Sequence, residues 1–169
     1  MKKILVLFVL FLSASFLEAA EKSGRVGLGI GDDRVVRIFF FVNNSLSLKF
    51  GIYNSESTVK SSTPYTSKSS VTAIEARKYL EQSEKEYDWF LELGYKTIDT
   101  TISCRGCVGS KRVDTSGWAG VEYFLNDKIS VDARLGIGLY NTEYATATYE
   151  VSGQFYPTTL LSLNYLFGT

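Results

Sequence analysis

The chain has 169 residues, 45% of them hydrophobic and 21% charged, with 18 basic side chains against 18 acidic. That length suits a single domain; the zero formal charge lacks the basic excess of a nucleic-acid binder, and the charge content argues against a disordered chain. Histidine is absent, which removes Ser-His-Asp triads, Cys-His pairs, histidine zinc sites and histidine-held haem together.

Residues 1–20 read as an address. Lys2 and Lys3 form a positive start, residues 4–12 are an unbroken apolar run, and small residues follow at Ser13, Ala14, Ser15, Ala19 and Ala20. This is the layout of a secretory signal peptide. The apolar run is too short to span a bilayer as a helix, which takes roughly 20 apolar residues. The expected division is a signal peptide over 1–20 and a barrel domain over 21–169.

From Arg25 onward apolar residues recur at every second position, the period of a strand. In chain order the pattern predicts strands at 25–31, 34–42, 46–55, 71–80, 88–98, 116–124, 129–140 and 158–167. The clearest is 129–140. Ile129, Val131, Ala133, Leu135, Ile137 and Leu139 form one face, and Ser130, Asp132, Arg134, Gly136, Gly138 and Tyr140 the other. The segment 71–80 is ambiguous. Its Glu, Lys, Arg and Ala content also suits an amphipathic helix capped by Ser70 and running to about Tyr87. An even strand number, which lets a barrel close, favours the strand.

The connections at 43–45, 81–87 and 125–128 are short, with turn chemistry at Asn43-Asn44 and Asn126-Asp127. Those at 56–70, 99–115 and 141–157 are long and rich in Ser and Thr, and are expected to be loops. Connection one, Asp32-Asp33, is short. Short turns at one end and long loops at the other are how outer-membrane barrels are built.

Alternation alone does not say which face is inside. A soluble barrel would turn the apolar face inward around an apolar ligand; a membrane barrel turns it toward lipid. Three features favour lipid. The apolar face stays apolar over five or six consecutive positions. Its aromatics (Trp89, Tyr95, Tyr123, Tyr165, Phe167) gather toward strand ends. The other face mixes glycine with charges of both signs. That face is predicted to hold a lumen charge network of Arg37, Lys49, Arg77, Lys96 and Arg134 against Glu75, Glu92, Glu122 and Asp132, a set close to neutral, as burial demands.

Carried by RVGLGIGDD at 25–33, GVEYFLNDKISVDARLGIGL at 120–139 and LLSLNYLF at 160–167, the sequence resembles the small eight-stranded outer-membrane barrels of the OmpA and OmpX type. The likeness is one of pattern over nearly all of 24–168. It implies an all-β, eight-stranded antiparallel up-and-down transmembrane barrel in a bacterial outer membrane. It also implies contact with outer-membrane lipid and lipopolysaccharide, and insertion by the barrel assembly machinery.

Barrels of this kind that act as enzymes on lipid A or peptides rely on a histidine, so their mechanisms do not carry over, and no enzymatic activity is expected. Glu92, Glu122 and Asp132 lie on three neighbouring predicted strands and could pair as acid and base, but a structural salt-bridge network is the stronger reading. Cys104 and Cys107 lie in a connection between strands, away from any helix start, and lack further metal ligands. A local disulfide is expected there after export. The glycines of 25–31 precede acids and a strand, not a helix, and so do not form a phosphate loop. No cofactor and no metal site are implied. The expected role is envelope-structural or surface interaction, with the loops at 56–70, 99–115 and 141–157 open to an extracellular partner. A soluble periplasmic barrel binding an apolar ligand, or a narrow channel, is the alternative.

Overall fold

The computed structural model describes residues 24–59, 65–80, 87–104, 107–144 and 150–167; the signal peptide expected at 1–20 lies outside the described residues. Eight strands follow one another: β1 (Val26–Gly31), β2 (Val36–Asn43), β3 (Leu46–Val59), β4 (Tyr65–Tyr79), β5 (Tyr87–Ser103), β6 (Ser110–Phe124), β7 (Ile129–Tyr144) and β8 (Glu150–Phe167). Each pairs antiparallel with its sequence neighbour, and β1 pairs with β8, from Val26 opposite Phe167 to Gly31 opposite Ser162. The sheet therefore closes as an eight-stranded up-and-down barrel with no helix among the described residues.

The faces follow the period-two pattern. Val26, Leu28, Ile30, Ile38, Phe50, Ile52, Leu161 and Leu163 point outward and are exposed, as are Leu135 (68%) and Ile137 (64%). Arg37, Lys49, Glu75, Arg77, Glu92, Glu122, Asp132 and Arg134 are all buried. This is the reverse of a water-soluble barrel, whose apolar face would be the buried one.

The ambiguous segment at 71–80 is strand, the second half of β4. Its ladders place Arg77 opposite Ser47 and Glu92, and Ala76 opposite Leu48 and Leu93. Two-sided pairing and ion pairs with the neighbouring strand outweigh the local helix propensity, which is a weak bias of a few tenths of a kcal/mol per residue.

The expected long loops are a correction. Most of 56–70, 99–115 and 141–157 is strand: β3 runs on to Val59, β4 begins at Tyr65, β5 reaches Ser103, β6 begins at Ser110, β7 reaches Tyr144 and β8 begins at Glu150. Here Ser, Thr and charged residues occur on both faces among scattered apolar ones such as Val59, Tyr65 and Phe155, so hydrophobic alternation no longer marks the strand. Cross-strand polar pairs hold the ladder instead. Thr58 and Thr66 hydroxyls approach to 3.3 Å, Ser69 and Thr100 to 3.2 Å, and Lys68 meets Glu56 at 3.2 Å.

The β1–β2 hairpin does not share this extension. Its strands have 6 and 8 residues against 14 to 18 in the others. Pairing of β2 with β3 stops at Ile52, and pairing of β1 with β8 stops at Ser162. Beyond the turn at 32–35 the wall continues as an open six-stranded sheet, β3 to β8, with unpaired edges on β3 and β8. The turn is held by Asp33, whose Oδ1 accepts the Val35 N–H at 3.2 Å, while Arg34 adopts a left-handed φ of 62°. On the β8 edge, the Asp32 N–H donates to the Leu161 carbonyl at 2.9 Å. Leu161 thus turns its backbone toward β1, and strand alternation turns the nitrogen of Pro157 the same way. Proline sits where its missing N–H costs no ladder bond and denies a donor to the open edge.

Replacing Thr58 and Thr66 together by cysteine tests the extension of β3 and β4. Mild oxidation of the folded protein is expected to join the two residues, seen by mass as the loss of two hydrogens. Thr58→Cys with Ser69→Cys should not react, whereas a flexible 56–70 loop would let both pairs form.

Candidate functional site

The lumen is filled in layers. At the end that holds the chain termini, Phe39, Phe41, Tyr79, Phe90 and Leu166 form a buried cluster with Phe124 packed against it. Phe41 and Tyr79 have ring centroids 5.7 Å apart, and Tyr79 and Phe90 6.2 Å apart at 66°. Gly120 makes room for this plug. A Cβ there would lie 2.5 Å from the Phe90 ring.

Above the plug lies a layer of charge centred on Arg77, which is 0% exposed. Its guanidinium meets three carboxylates: Glu92 at 2.7 Å, Glu122 at 2.8 Å and Asp132 at 3.1 Å. The same guanidinium carbon sits 3.5 Å from the centroid of the Phe90 ring, joining the charge layer to the plug. Lys49 lies 3.4 Å from Glu92 and 3.9 Å from Asp132. Arg134 pairs with Glu92 and, at 3.3 Å, with Glu75. Arg37 donates from Nε to both Glu75 oxygens at 3.0 Å and from Nη2 to Asp33 at 2.7 Å.

Four cations and four carboxylates therefore interlock across six strands, with Asp33 extending the chain of ion pairs to the β1–β2 turn. Neutral donors add to the layer. Tyr79 donates to Glu122 at 2.6 Å, Asn164 donates to Asp132 at 2.9 Å, and Ser130 donates to Glu122. Glu92, Glu122 and Asp132, the acids spaced for acid–base work, all share Arg77 and are committed to ion pairs.

Of the nine residues read from the sequence as a lumen network, the structure brings eight into this layer. Lys96 stands apart. It is 31% exposed at the side chain and 3.9 Å from Asp114, higher in the lumen. Asp33, Tyr79, Ser130, Asn164 and the aromatic plug were not singled out in advance. Their strand parity already placed Asn164, Ser130 and Phe39 on the inward face, but uncharged groups give no signal of function.

On the far side of the charge layer, at the level of the open sheet, lies a cavity of about 400 Å³. Arg37 and Glu75 form its floor; Lys96, Asp114, Trp118 and Tyr156 form its wall. Asp114 accepts from Arg112 at 2.6 Å and from the Tyr156 hydroxyl at 3.2 Å. Arg112 is stacked over Tyr140, 3.9 Å from the ring centroid. The Tyr156 ring crosses Gly138, where a Cβ would lie 2.4 Å from it. The Trp118 indole N–H donates to the Ser116 hydroxyl at 2.8 Å. Cys104 and Cys107 are joined at the tip of the β5–β6 hairpin, with Cα atoms 5.3 Å apart.

No family model matches the chain, and no curated protein matches it. Among solved structures, the crystal structures of Acinetobacter baumannii CarO and CarO2 are similar to it. Each gives a TM-score of 0.43 at 8% identity, over 88% of this chain and 100% of the other.

Removing Arg77 would leave three buried carboxylates facing one another. Arg77→Met is expected to destabilise the folded barrel by about 3–5 kcal/mol, the cost of stranding buried charge. Urea unfolding of the purified protein in detergent micelles, followed by the gel-mobility shift between folded and unfolded barrels, measures it.

Proposed function

We propose that this chain is an exported outer-membrane barrel without enzymatic activity, whose role is envelope-structural or surface-interacting. The observation that carries the reading is the inverted polarity of the closed ring: exposed Leu, Ile, Val and aromatic side chains outside, a buried ion cluster inside. In lipid every backbone polar group must be satisfied within the protein, so only a closed sheet can cross. Here the ring is closed where Val26, Leu28, Ile30, Leu163, Tyr165 and Phe167 face outward, and on β7 and β8 the apolar outer face continues past the end of that closure through Leu135, Ile137 and Phe155.

With the termini on the periplasmic side, the six long strands project from the cell. Outer-membrane lipid and lipopolysaccharide would contact the apolar belt, the barrel assembly machinery would insert it, and the projecting hairpins would meet an extracellular partner. A channel is the weaker reading, because the aromatic plug and the ion layer lie in series across the lumen. A soluble barrel around an apolar ligand would need the apolar faces turned inward.

The protein should fractionate with outer membranes and migrate faster on gels before boiling than after. Recovery in the soluble periplasmic fraction overturns the proposal. Leu135→Arg and Ile137→Arg each place a cation on the lipid face, at about 2–4 kcal/mol near the bilayer midplane, and are expected to lower the assembled fraction. Normal assembly of both would mean the faces are reversed. Planar bilayers containing the protein should show no steady conductance; stable unitary steps would establish a channel instead.

A further inference from the structure

We propose that the cavity above the charge layer is a binding site for a small carboxylate with an aromatic or apolar body, anchored by Lys96. At about 400 Å³ the cavity falls in the range of small-molecule sites, roughly 300–1,000 Å³. It is blind, because the ion layer and the aromatic plug close it below. It is reached from above and across the low β1–β2 turn, whose Asp32 and Asp33 line its lip.

The charge arrangement selects the ligand. Every other cation in the lumen is held by a carboxylate at close range: Arg37 at 2.7 Å, Arg77 at 2.7 Å, Arg112 at 2.6 Å, Arg134 at 3.3 Å and Lys49 at 3.4 Å. Among the described residues Lys96 pairs only with Asp114, at 3.9 Å, beyond hydrogen-bond reach. Both Asp114 oxygens are already occupied, Oδ1 by Arg112 and Oδ2 by Tyr156. Within this part of the wall Lys96 and Arg112 face Asp114 alone, although the lining as a whole sets Arg37, Lys96 and Arg112 against Asp32, Asp33, Glu75 and Asp114; the Lys96 ammonium has donors left to give.

The local excess at Lys96 can pair with one negative charge placed against it, away from the acids. The acids at the lip, Asp32 and Asp33, and Glu75 in the floor would repel a dianion such as phosphate and leave a monoanionic carboxylate as the best match. The remaining lining supplies the body of the site. Trp118 and Tyr156 contribute aromatic lining, and Ile98 and Leu160 apolar lining.

The site carries its own reporter. The chain has two tryptophans: Trp89 points outward and is exposed, and Trp118 lines the cavity. Trp89→Phe leaves Trp118 as the sole tryptophan, excited apart from the tyrosines at the red edge of absorption. Purified in detergent, this variant is expected to show a saturable change in Trp118 emission on titration with benzoate. Benzylamine, the same ring with a cation, should give none. Adding Lys96→Met should weaken benzoate binding at least tenfold, and adding Lys96→Arg should restore it to within a few-fold. Each variant is first checked for the folded-barrel gel shift, which Lys96, half-exposed and loosely paired, should leave unchanged.

Absence of a saturable benzoate response overturns the proposal, as does equal binding by the Lys96→Met form. Displacement of benzoate by inorganic phosphate at matching concentration would show a general anion site and overturn the carboxylate assignment. The readout uses detergent-solubilised protein, so it is separable from the cellular location: a soluble barrel could still bind benzoate, and an outer-membrane barrel could fail to.

Discussion

Charge can be buried in a barrel only if each ion finds its counter-ion, and in this molecule that condition converges on Arg77. Its three carboxylate partners come from β5, β6 and β7, so one side chain on β4 ties half the ring together. Each ion costs several kcal/mol to desolvate, and the pairs recover this only in good geometry. The consequence is specificity of register. A one-residue slip of β4 would send Glu75, Arg77 and Tyr79 outward and bring Ile74, Ala76 and Lys78 into the lumen. The apolar outer face forbids the same one-residue slip, but a two-residue slip would keep every residue on its face, and only the ion pairs distinguish that register.

The plug and the ion layer depend on each other in the same way. Arg77 stacks on Phe90 while pairing with the carboxylates, and Tyr79 belongs to the aromatic cluster while donating to Glu122. Side chains that are half aromatic and half polar form the seam between an apolar layer and a charged one. Where rings cross the lumen the facing wall must be thin, which accounts for glycine opposite Phe90 and Tyr156 better than any backbone requirement does.

Much of the lower barrel was legible in the sequence, because there one face is apolar and the other polar, and the alternation records which is which. Leu135 and Asp132 sit on opposite faces by parity alone. The upper sheet was not legible. In Thr97, Asp99 and Thr101 against Lys96, Ile98 and Thr100, neither face is distinctively apolar, so the segment reads as a loop although its backbone is paired throughout. The pairing within the ion layer was equally hidden. Inward parity shows that Arg77 and Glu122 share the lumen, but not that a 2.8 Å contact spans two strands. That distance depends on tilt and closure, which no local pattern records. The split of Lys96 from the other cations was hidden for the same reason.

The unequal strand lengths then acquire a meaning. Six strands continue past the point where β1 and β2 turn back, which leaves two edges and a cavity at that level. Unpaired edges invite pairing with other chains, and Pro157 blunts the β8 edge. Below this level the lumen is sealed twice, by ions and by rings, and opening it would require separating Arg77 from three carboxylates at once. A sealed base of that kind makes a poor gate and a rigid support. Rigidity at the floor is what a small binding cavity needs, because Arg37 and Glu75 are held by the same ion network that closes the barrel. The cluster that fills the lumen thereby holds the floor of the cavity above it in place.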